Sequence, residues 1–308
     1  MAEIKYIGGV KIINLSDENE EIYNEGDDVE QKVLATVMGS TSYDVHVNEL
    51  NKDSRWPVLY ELSKRRQMIV EPMNITSEEY VLEVGAGMGA ITGALAKRAK
   101  HVDCIELSER RSMANAYRNR EYENITITVA NFENVEIEKE YDVIILNGVL
   151  EYATLYIHSK RPYEDFLNKL FLMLKKSGRI YIAIENKLGI KYLAGCVEDH
   201  LGSFYSGVEN YQGSVPARTF TKSQLTKLLF DAGYKDIFFY YPFPDYKLPT
   251  EIYSDEYMPN EDSNLRAFEN YDSDRVVIFD EEKAYEGMIG TDEMKVLFNS
   301  FLVEAVKK

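Results

Sequence analysis

Short apolar runs alternate with amphipathic segments through the middle of the chain. The runs are rich in Val, Ile and Leu and nearly continuous, as is typical of buried parallel strands. The segments between them have helical spacing, and several are bounded by Ser, Thr, Pro or Gly. This alternation predicts right-handed βαβ crossovers and a doubly wound α/β sheet. The predicted strands are 80–84, 101–106, 125–130, 141–146, 179–185, 235–241 and 300–306, with helices at 91–100, 108–120, 162–175 and 221–232.

The residues before the first predicted strand form an N-terminal extension, 1–74. Up to about residue 28 the pattern fits either a poorly ordered lead or a β-ribbon. Helical spacing then predicts helices over 29–38 and 56–73, the second with Pro57 suited to a first turn.

Two long stretches interrupt the later alternation. Residues 186–217 are too long and polar for a simple connection, which favours an active-site loop. Residues 242–299 are acidic and rich in Tyr, and we expect them to form part of a substrate lid. We therefore divide the chain into four parts: extension 1–74, core 75–241, insertion 242–299 and final strand 300–308.

A glycine-rich turn follows the first strand, with Gly85, Gly87 and Gly89 at alternate positions. Such a turn lets a ligand approach bare backbone and its free N–H groups at a helix N-terminus. A tight turn that binds nothing is the alternative. Glu83 favours a ligand, because an acid within an apolar strand is costly to bury without a partner. A cationic amino group of a ligand would be such a partner.

The glycine pattern alone is compatible with two cofactors. Gly85-x-Gly87-x-x-Ala90 satisfies the dinucleotide pattern, so an NAD-dependent dehydrogenase or epimerase stays open. Glu106, at the end of the second strand, fits a ribose hydroxyl in either class. The position of Glu83 favours S-adenosylmethionine. So do two polar segments at the ends of the third and fourth strands, Asn131-Phe132 and 147–152.

The composition disfavours some classes of binding partner. The chain has 308 residues, 45% hydrophobic and 28% charged, with a net charge of -17. This charge argues against a nucleic-acid partner and against anionic membranes. No apolar run could span a bilayer and no signal peptide is recognisable, so we expect a cytoplasmic protein without membrane insertion. The two cysteines, Cys104 and Cys196, form neither a disulfide framework nor a metal pair, and no metal-ligand cluster is visible.

Four motifs, taken in order, carry a family resemblance. V-L-E-V-G-A-G-M-G-A, C-I-E-L, A-N-F and L-N-G-V-L-E-Y-A resemble class I S-adenosylmethionine-dependent methyltransferases, from Tyr80 through Tyr241. A narrower resemblance rests on R-W-P-V-L-Y-E-L-S-K-R-R, I-E-N-K-L-G-I-K-Y-L-A-G-C-V-E-D-H, A-R-T-F-T-K-S-Q-L and Y-Y-P-F-P-D-Y-K-L-P-T. These segments resemble bacterial methyltransferases, found alone or fused to glycosyltransferases, that are associated with cell-surface polysaccharide assembly.

The resemblance implies a Rossmann-like sheet of seven strands, ordered 3-2-1-4-5-7-6, with the last strand antiparallel. It also implies S-adenosylmethionine as cofactor and S-adenosylhomocysteine as product. The glycine turn would line the methionine part, with the ribose, adenine and sulfonium held from the ends of the next three strands. The implied cofactor-binding residues are Glu83, Gly85, Ala86, Gly87, Gly89, Glu106, Leu107, Asn131, Phe132, Asn147 and Gly148.

Methyl transfer to a hydroxyl needs an in-line approach and a base for the proton. His200 is the first candidate base, because its ordinary pKa suits the task; a structural hydrogen bond is the alternative. Glu151 and Glu185 end the fourth and fifth strands, where they would bind sugar hydroxyls, act as base, or only cap and pair. An anionic acceptor group would suit Lys187, Lys191 and Arg218. The remaining substrate-binding candidates are Arg66, Asn186 and Tyr192.

The expected function is S-adenosylmethionine-dependent methylation of a hydroxyl on a sugar or glycan precursor, with glycosyltransferases of the same pathway as expected partners. A natural-product O- or N-methyltransferase is the nearest alternative. An NAD-dependent dehydrogenase or epimerase, and a non-catalytic S-adenosylmethionine-binding module, are the alternatives from other classes.

Overall fold

The computed structural model of the protein describes residues 3–16, 26–136, 139–213, 215–270 and 275–308. Residues 17–25, within the predicted lead, lie outside the described part. The chain forms two compact units, the first made of 1–147 and 172–179, the second of 148–171 and 180–308. No helix among the described residues is both long and apolar enough to cross a membrane.

The first unit contains six strands, ordered β1-β2-β5-β4-β3-β6. β1 and β2 are an antiparallel hairpin, which was one of the two alternatives for the start of the chain, and the remaining neighbours are parallel. The central strands are almost fully buried, as their continuous apolar runs predict. The bounds are β1 Glu3–Ile7, β2 Val10–Asn14, β3 Tyr80–Val84, β4 His101–Glu106, β5 Ile125–Val129 and β6 Tyr141–Asn147.

Five helices accompany these strands: α1 Asp27–Gly39, α2 Tyr43–Lys52, α3 Trp56–Leu62, α4 Thr92–Ala96 and α5 Glu109–Arg118. The single helix predicted over 56–73 was wrong. The backbone is extended at Ser63, with ψ 127°, and the Ser63 hydroxyl accepts a hydrogen bond from the Arg65 N–H at 3.3 Å. A separate 3-10 helix, Lys64–Val70, follows this break.

The N-terminal helices pack against the glycine turn. Their apolar side chains share one buried cluster with Met88 of the turn and Ala114 of α5; its other members are Val29, Val33, Val37, Val58 and Leu62. Next to the cluster, Arg111 Nε donates to Glu30 Oε1 at 2.9 Å, and both side chains are buried. The predicted extension is therefore part of the same hydrophobic core as the turn.

The second unit has the strand order β7-β10-β8-β9, where only residues 180–185 of β7 belong to this unit. β10 and β9 each pair antiparallel with β8. Counting both units, the described residues form ten strands, so the predicted seven was wrong; β1, β2 and β9 are additional. The bounds are β7 Leu174–Glu185, β8 Tyr234–Phe243, β9 Glu251–Ser254 and β10 Ser300–Lys307.

Six helices complete this unit, and the best-defined is α9, whose Thr221–Gln224 capping box matches the predicted helix start. β9, α10 and α11 all lie in the predicted insertion 242–299, so part of that segment extends the sheet. The bounds are α6 Ala153–Tyr156, α7 Pro162–Met173, α8 Ile190–Leu193, α9 Lys222–Asp231, α10 Glu281–Glu286 and α11 Glu293–Leu297.

Candidate functional site

The glycine turn after β3 has a left-handed backbone, with φ of 68°, 54° and 75° at Gly85, Gly87 and Gly89. A β-carbon on Gly89 would lie 2.2 Å from the Asn115 amide oxygen, so this glycine is needed for packing. A β-carbon on Gly87 would meet nothing within 4 Å. Gly87 therefore leaves open space beside bare backbone, which suits a ligand.

Glu106 ties the turn to the next helix. Its Oε2 accepts a hydrogen bond from the Gly87 N–H at 2.8 Å, and its Oε1 accepts one from the Ser108 N–H at 3.0 Å. Ser108 is the N-cap of α5, as predicted. The structure thus places Glu106, the residue predicted to bind the ribose, in contact with the predicted glycine turn.

Glu83 is buried beneath the turn. The Thr92 hydroxyl donates to its Oε2 at 2.7 Å, and the Cys104 thiol lies 3.6 Å from the same oxygen. Burial raises the pKa of Glu83 to about 7, against the opposing effect of these two hydrogen bonds and of the Arg66 charge. Arg66, predicted to contact substrate, is buried with its guanidinium carbon 3.5 Å from the centre of the Tyr60 ring.

The other predicted cofactor residues of the first unit are largely buried around this turn. Asn131 accepts a hydrogen bond from the Glu133 N–H at 3.0 Å, and Phe132 is 7% exposed. Ala86 is buried and Leu107 is half-buried. The amide oxygen of Asn147 is buried without a hydrogen-bond partner. An orphaned buried acceptor is costly, so Asn147 is suited to a donor from a ligand.

A buried acid–base cluster lies in the second unit. Glu151, Glu185 and His200 each place one oxygen or nitrogen within 4.8 Å of the others. Glu185 Oε2 and His200 Nε2 are 4.0 Å apart, too far for a direct hydrogen bond. A point exists within about 2.8 Å of all three atoms, which is the hydrogen-bonding distance of a hydroxyl oxygen.

Two oxygens of these glutamates, Glu151 Oε2 and Glu185 Oε2, are buried without a hydrogen-bond partner. The other Glu185 oxygen is 2.6 Å from Lys247 Nζ. His200 Nδ1 is 3.0 Å from Glu198 Oε1, which orients the ring and directs Nε2 towards the two glutamates.

The same three side chains have the ligand types of a metal site, and no metal had been expected from the sequence. Lys247 already supplies positive charge to Glu185. Lys247 also pairs with Asp199, and Asp199 in turn pairs with Lys191 at 2.9 Å. We therefore interpret the cluster by its proton chemistry.

Comparison with known proteins finds a family match over the part of the chain that contains the glycine turn. Residues 82–180 match the family model described as Methyltransferase domain. Residues 82–180 therefore contain a methyltransferase domain. S-adenosylmethionine is its cofactor, and the open space at Gly87 and the orphaned Asn147 oxygen fit such a ligand.

The relatives of this methyltransferase domain act on different acceptors, according to their names. Phosphoethanolamine N-methyltransferase 1 of Triticum aestivum is 29% identical over 50% of this chain and 30% of its own length. Ribosomal RNA small subunit methyltransferase A of Clostridium acetobutylicum is 31% identical over 35% and 41%. Ubiquinone biosynthesis O-methyltransferase of Rickettsia bellii is 26% identical over 58% and 70%. The chain spans less than half the length of the first two.

The chain was also compared with solved structures. Phosphoethanolamine N-methyltransferase 1 of Haemonchus contortus, with phosphoethanolamine and S-adenosylhomocysteine, aligns with a TM-score of 0.49 and 15% identity. The alignment covers 91% of this chain and 48% of that one.

The protonation states of the acid–base cluster differ from one residue to the next. Burial, then the Glu185 charge, raises the pKa of Glu151 to about 8. Burial opposes ionisation of Glu185, but Lys247 and His200 outweigh it and lower its pKa. Burial also opposes the imidazolium of His200, but Glu185 and the Glu198 hydrogen bond raise its pKa to about 9. At neutral pH, Glu151 and His200 are therefore protonated and Glu185 is ionised.

The remaining predicted residues of the second unit separate into two groups. Asn186, Lys191 and Tyr192 are buried; the Asn186 amide bonds the Val296 and Phe298 carbonyls, and Lys191 pairs with Asp199 and Asp245. These contacts are structural. Lys187 and Arg218 instead border a cleft. Gly148 has φ 72°, and a β-carbon there would lie 2.7 Å from the Tyr246 hydroxyl.

Sequence reasoning missed Glu198, Asp199 and Lys247, which surround the cluster. The signal was present, because E-D-H and D-Y-K fall within segments that carry the narrower family resemblance. Glu198 contacts His200 only two residues away, but Asp199 and Lys247 pair across 48 residues, and a local pattern does not reveal such a distant pair.

Proposed function

We propose that the protein transfers a methyl group from S-adenosylmethionine to a hydroxyl of a sugar or glycan precursor. The observation that carries this proposal is the acid–base triangle of Glu151, Glu185 and His200. An acceptor hydroxyl at its centre would donate its proton to the orphaned Glu185 oxygen and accept a hydrogen bond from protonated Glu151. The two orphaned oxygens would then both have partners.

S-adenosylmethionine supplies an electrophilic methyl group when bound. The residues of this chain that would hold it are the glycine turn, Glu83, Glu106, Asn131–Phe132 and Asn147. Glu185 would take the hydroxyl proton as a lone pair of the hydroxyl oxygen forms the new O–C bond. The electron pair of the broken C–S bond would stay on the sulfur of the product, S-adenosylhomocysteine. Lys247 and His200 keep Glu185 ionised and ready for this. Positioning supplies much of the rate, and the base adds about 10²–10⁴-fold.

His200 takes a different role in this proposal from the one its ordinary pKa suggested. A histidine with a pKa of about 9 is already protonated at neutral pH and has no free site for another proton. We therefore assign proton acceptance to Glu185, with His200 as the cation that stabilises it and Glu151 as the hydrogen-bond donor.

A second candidate is methylation of an amine. With Glu151 neutral and His200 cationic, the four carboxylates of Glu185, Glu198, Asp199 and Asp245 exceed by one the three cations Lys191, Lys247 and His200. A protonated amine would offset this excess of buried negative charge better than a neutral hydroxyl. The wheat relative is an N-methyltransferase by name.

Calorimetry separates the cofactors. We expect S-adenosylmethionine to bind and NAD to bind weakly or not at all. Binding of NAD alone would contradict the proposal and revive the dehydrogenase alternative. The Glu83→Ala variant should weaken donor binding. Lys160→Ala is the control and should not, because Lys160 is exposed and lies outside the described site.

Transfer of a labelled methyl group then identifies the acceptor class. Neutral sugars, sugar phosphates, amines and RNA should be compared at saturating donor. Label on sugar hydroxyls supports the proposal, and label on amines alone supports the second candidate. The net charge of -17 predicts no transfer to RNA, although one relative is a ribosomal RNA methyltransferase by name. Donor binding without any transfer would indicate a non-catalytic module.

A further inference from the structure

A cleft of about 450 Å³ in the second unit has an unusual charge for this protein. Its lining includes the basic residues Lys187, Arg218 and Lys227, the acidic residues Glu164 and Asp231, and the rings of Tyr211 and Phe220. The chain as a whole carries 52 acidic against 35 basic residues. Three basic against two acidic lining residues leave the cleft with an excess of one positive charge, opposite in sign to the net charge of the chain.

Two of these cations have no acidic partner. Among the residues that the structure describes, no carboxylate lies within ion-pair distance of Lys187 or Arg218. Lys187 Nζ donates to the Asn210 amide oxygen at 2.6 Å, and Arg218 Nη2 donates to the Asn210 and Tyr211 carbonyls at 2.9 and 3.1 Å. Lys187 is only 6% exposed. A buried ammonium without a counter-charge is costly, which favours an anionic ligand.

The two charges approach the same aromatic ring. Lys187 Nζ lies 5.7 Å, and the Arg218 guanidinium carbon 5.5 Å, from the centre of the Tyr211 ring. Burial and then the Arg218 charge lower the pKa of Lys187. The cations are therefore close enough to repel each other, and a shared anion would relieve this repulsion.

The cleft is also connected to the acid–base triangle through hydrogen bonds. The Arg218 N–H donates to the Glu151 carbonyl at 2.9 Å. The Tyr211 hydroxyl donates to Glu198 Oε1 at 3.1 Å, and the same oxygen is 3.0 Å from His200 Nδ1. Lys187 follows Glu185 by two residues. A group bound in the cleft would thus be held by the neighbours of all three triangle residues.

We propose that Lys187 and Arg218 bind a phosphate group of the acceptor, so that the substrate class is a phosphorylated sugar or glycan precursor. Two positive charges at one ring match the charge of about -1.5 to -2 on a phosphate monoester at neutral pH. Arg218 adds planar N–H donors that fit phosphate oxygens. This inference rests on the proposed function, and it explains why an acidic protein keeps two unpaired cations beside its acid–base cluster.

The test uses inorganic phosphate as the probe and calorimetry as the readout. Wild-type protein should bind phosphate, and Lys187→Gln with Arg218→Gln should weaken that binding about tenfold or more. Lys227→Gln is the matched control, because Lys227 lines the same cleft but is paired with Asp231 at 2.6 Å. Circular dichroism and the two single variants establish that any loss does not reflect unfolding.

Three outcomes would overturn the inference: no phosphate binding to the wild type, equal binding to the double variant, or acetate binding as well as phosphate. Donor binding measured in the same samples distinguishes failure of the subsite from failure of the proposed function. If S-adenosylmethionine binds but phosphate does not, only the subsite is refuted. If phosphate binds and S-adenosylmethionine does not, the anion site stands and the methyltransferase proposal fails.

Discussion

The Nε2 atom of His200 lies 4.0 Å from Oε2 of Glu185, so the two side chains attract each other without sharing a direct hydrogen bond. This separation leaves the Glu185 oxygen unpartnered while the imidazolium keeps it charged. An ionised carboxylate with one unpartnered oxygen can accept a proton at that oxygen. The same arrangement makes the cluster sensitive to pH in a defined direction.

Glu151→Gln should shift the alkaline limit of activity. In the wild type, Glu151 donates its hydrogen bond only below its pKa of about 8, so kcat/KM should fall as pH rises through that value. Glutamine keeps an N–H donor and does not titrate. The variant should remain within about tenfold of wild type at neutral pH, with its alkaline limb closer to the His200 pKa of about 9. The measurement is the pH profile of kcat/KM; an unmoved limb would show that Glu151 does not set it. The interacting groups titrate together, so the profile reports values of the cluster.

Glu185→Gln should remove the proton acceptor, lowering kcat by about 10²–10⁴-fold with little change in donor affinity.

His200→Ala is predicted to act more mildly and through Glu185. Without the imidazolium, the pKa of Glu185 should rise, and the acidic limb of the profile should move to higher pH. A normal kcat and an unmoved acidic limb in His200→Ala would exclude both a base and a charge-stabilising role for it.

Glu83 should couple donor binding to pH. Burial raises its pKa to about 7, so it is neutral at lower pH and offers no charge to a ligand ammonium. Donor affinity should therefore rise about tenfold between pH 6 and pH 8, and Glu83→Gln should flatten this dependence. Dividing the wild-type affinity by that of the variant at each pH cancels the titration of the ligand itself. An equal slope in both proteins would remove Glu83 from the donor site.

The same shift has a consequence for stability without ligand. The folded pKa of Glu83 is above its ordinary value of 4.5, so the folded state binds more protons than the unfolded state between these values. The free energy of unfolding should therefore decrease as pH rises from 4.5 through 7, and Glu83→Gln should lose this contribution. Urea unfolding at several pH values would measure it.

Substitutions at two glycines should separate packing from ligand space. Gly89→Ala places a β-carbon 2.2 Å from the Asn115 amide oxygen at φ 75°, so we expect a loss of about 2 kcal/mol or more in unfolding free energy. Gly87→Ala meets no protein atom within 4 Å and should cost only about 1–2 kcal/mol of backbone strain. Its donor affinity should fall about tenfold, because the methyl group would occupy ligand space. Wild-type donor affinity in Gly87→Ala would place the ligand elsewhere.

Sequence patterns predicted the regular core well, because each central strand is a continuous apolar run and each cap is a local signal. Tyr80–Val84 and His101–Glu106 have the predicted bounds, and Ser108 and Thr221 start the predicted helices. The break at Ser63 was missed although its hydrogen bond from Arg65 is local, and the short strand Glu251–Ser254 was missed because it depends on pairing with β8.

The site was predicted less completely than the fold. The glycine turn and Glu106 meet as expected, because strand ends of a parallel sheet share one edge. The charge state of His200 was not predictable. It depends on Glu185 and Glu198, and the contact with Glu185 exists only after folding. Lys191 and Lys187 likewise differ in pairing rather than residue type, because Lys191 pairs with Asp199 and Asp245 whereas Lys187 has no carboxylate partner among the described residues.

Met88 determines how small a working fragment of this protein can be. The family match begins at residue 82, yet Met88 of the donor turn is packed among α1 and α3 side chains that precede it by up to about sixty positions. A fragment trimmed to the family boundaries would expose that methionine and the apolar faces around it to water. Engineered versions should therefore keep residues 26–74, and limited proteolysis in this region should slow when donor is bound.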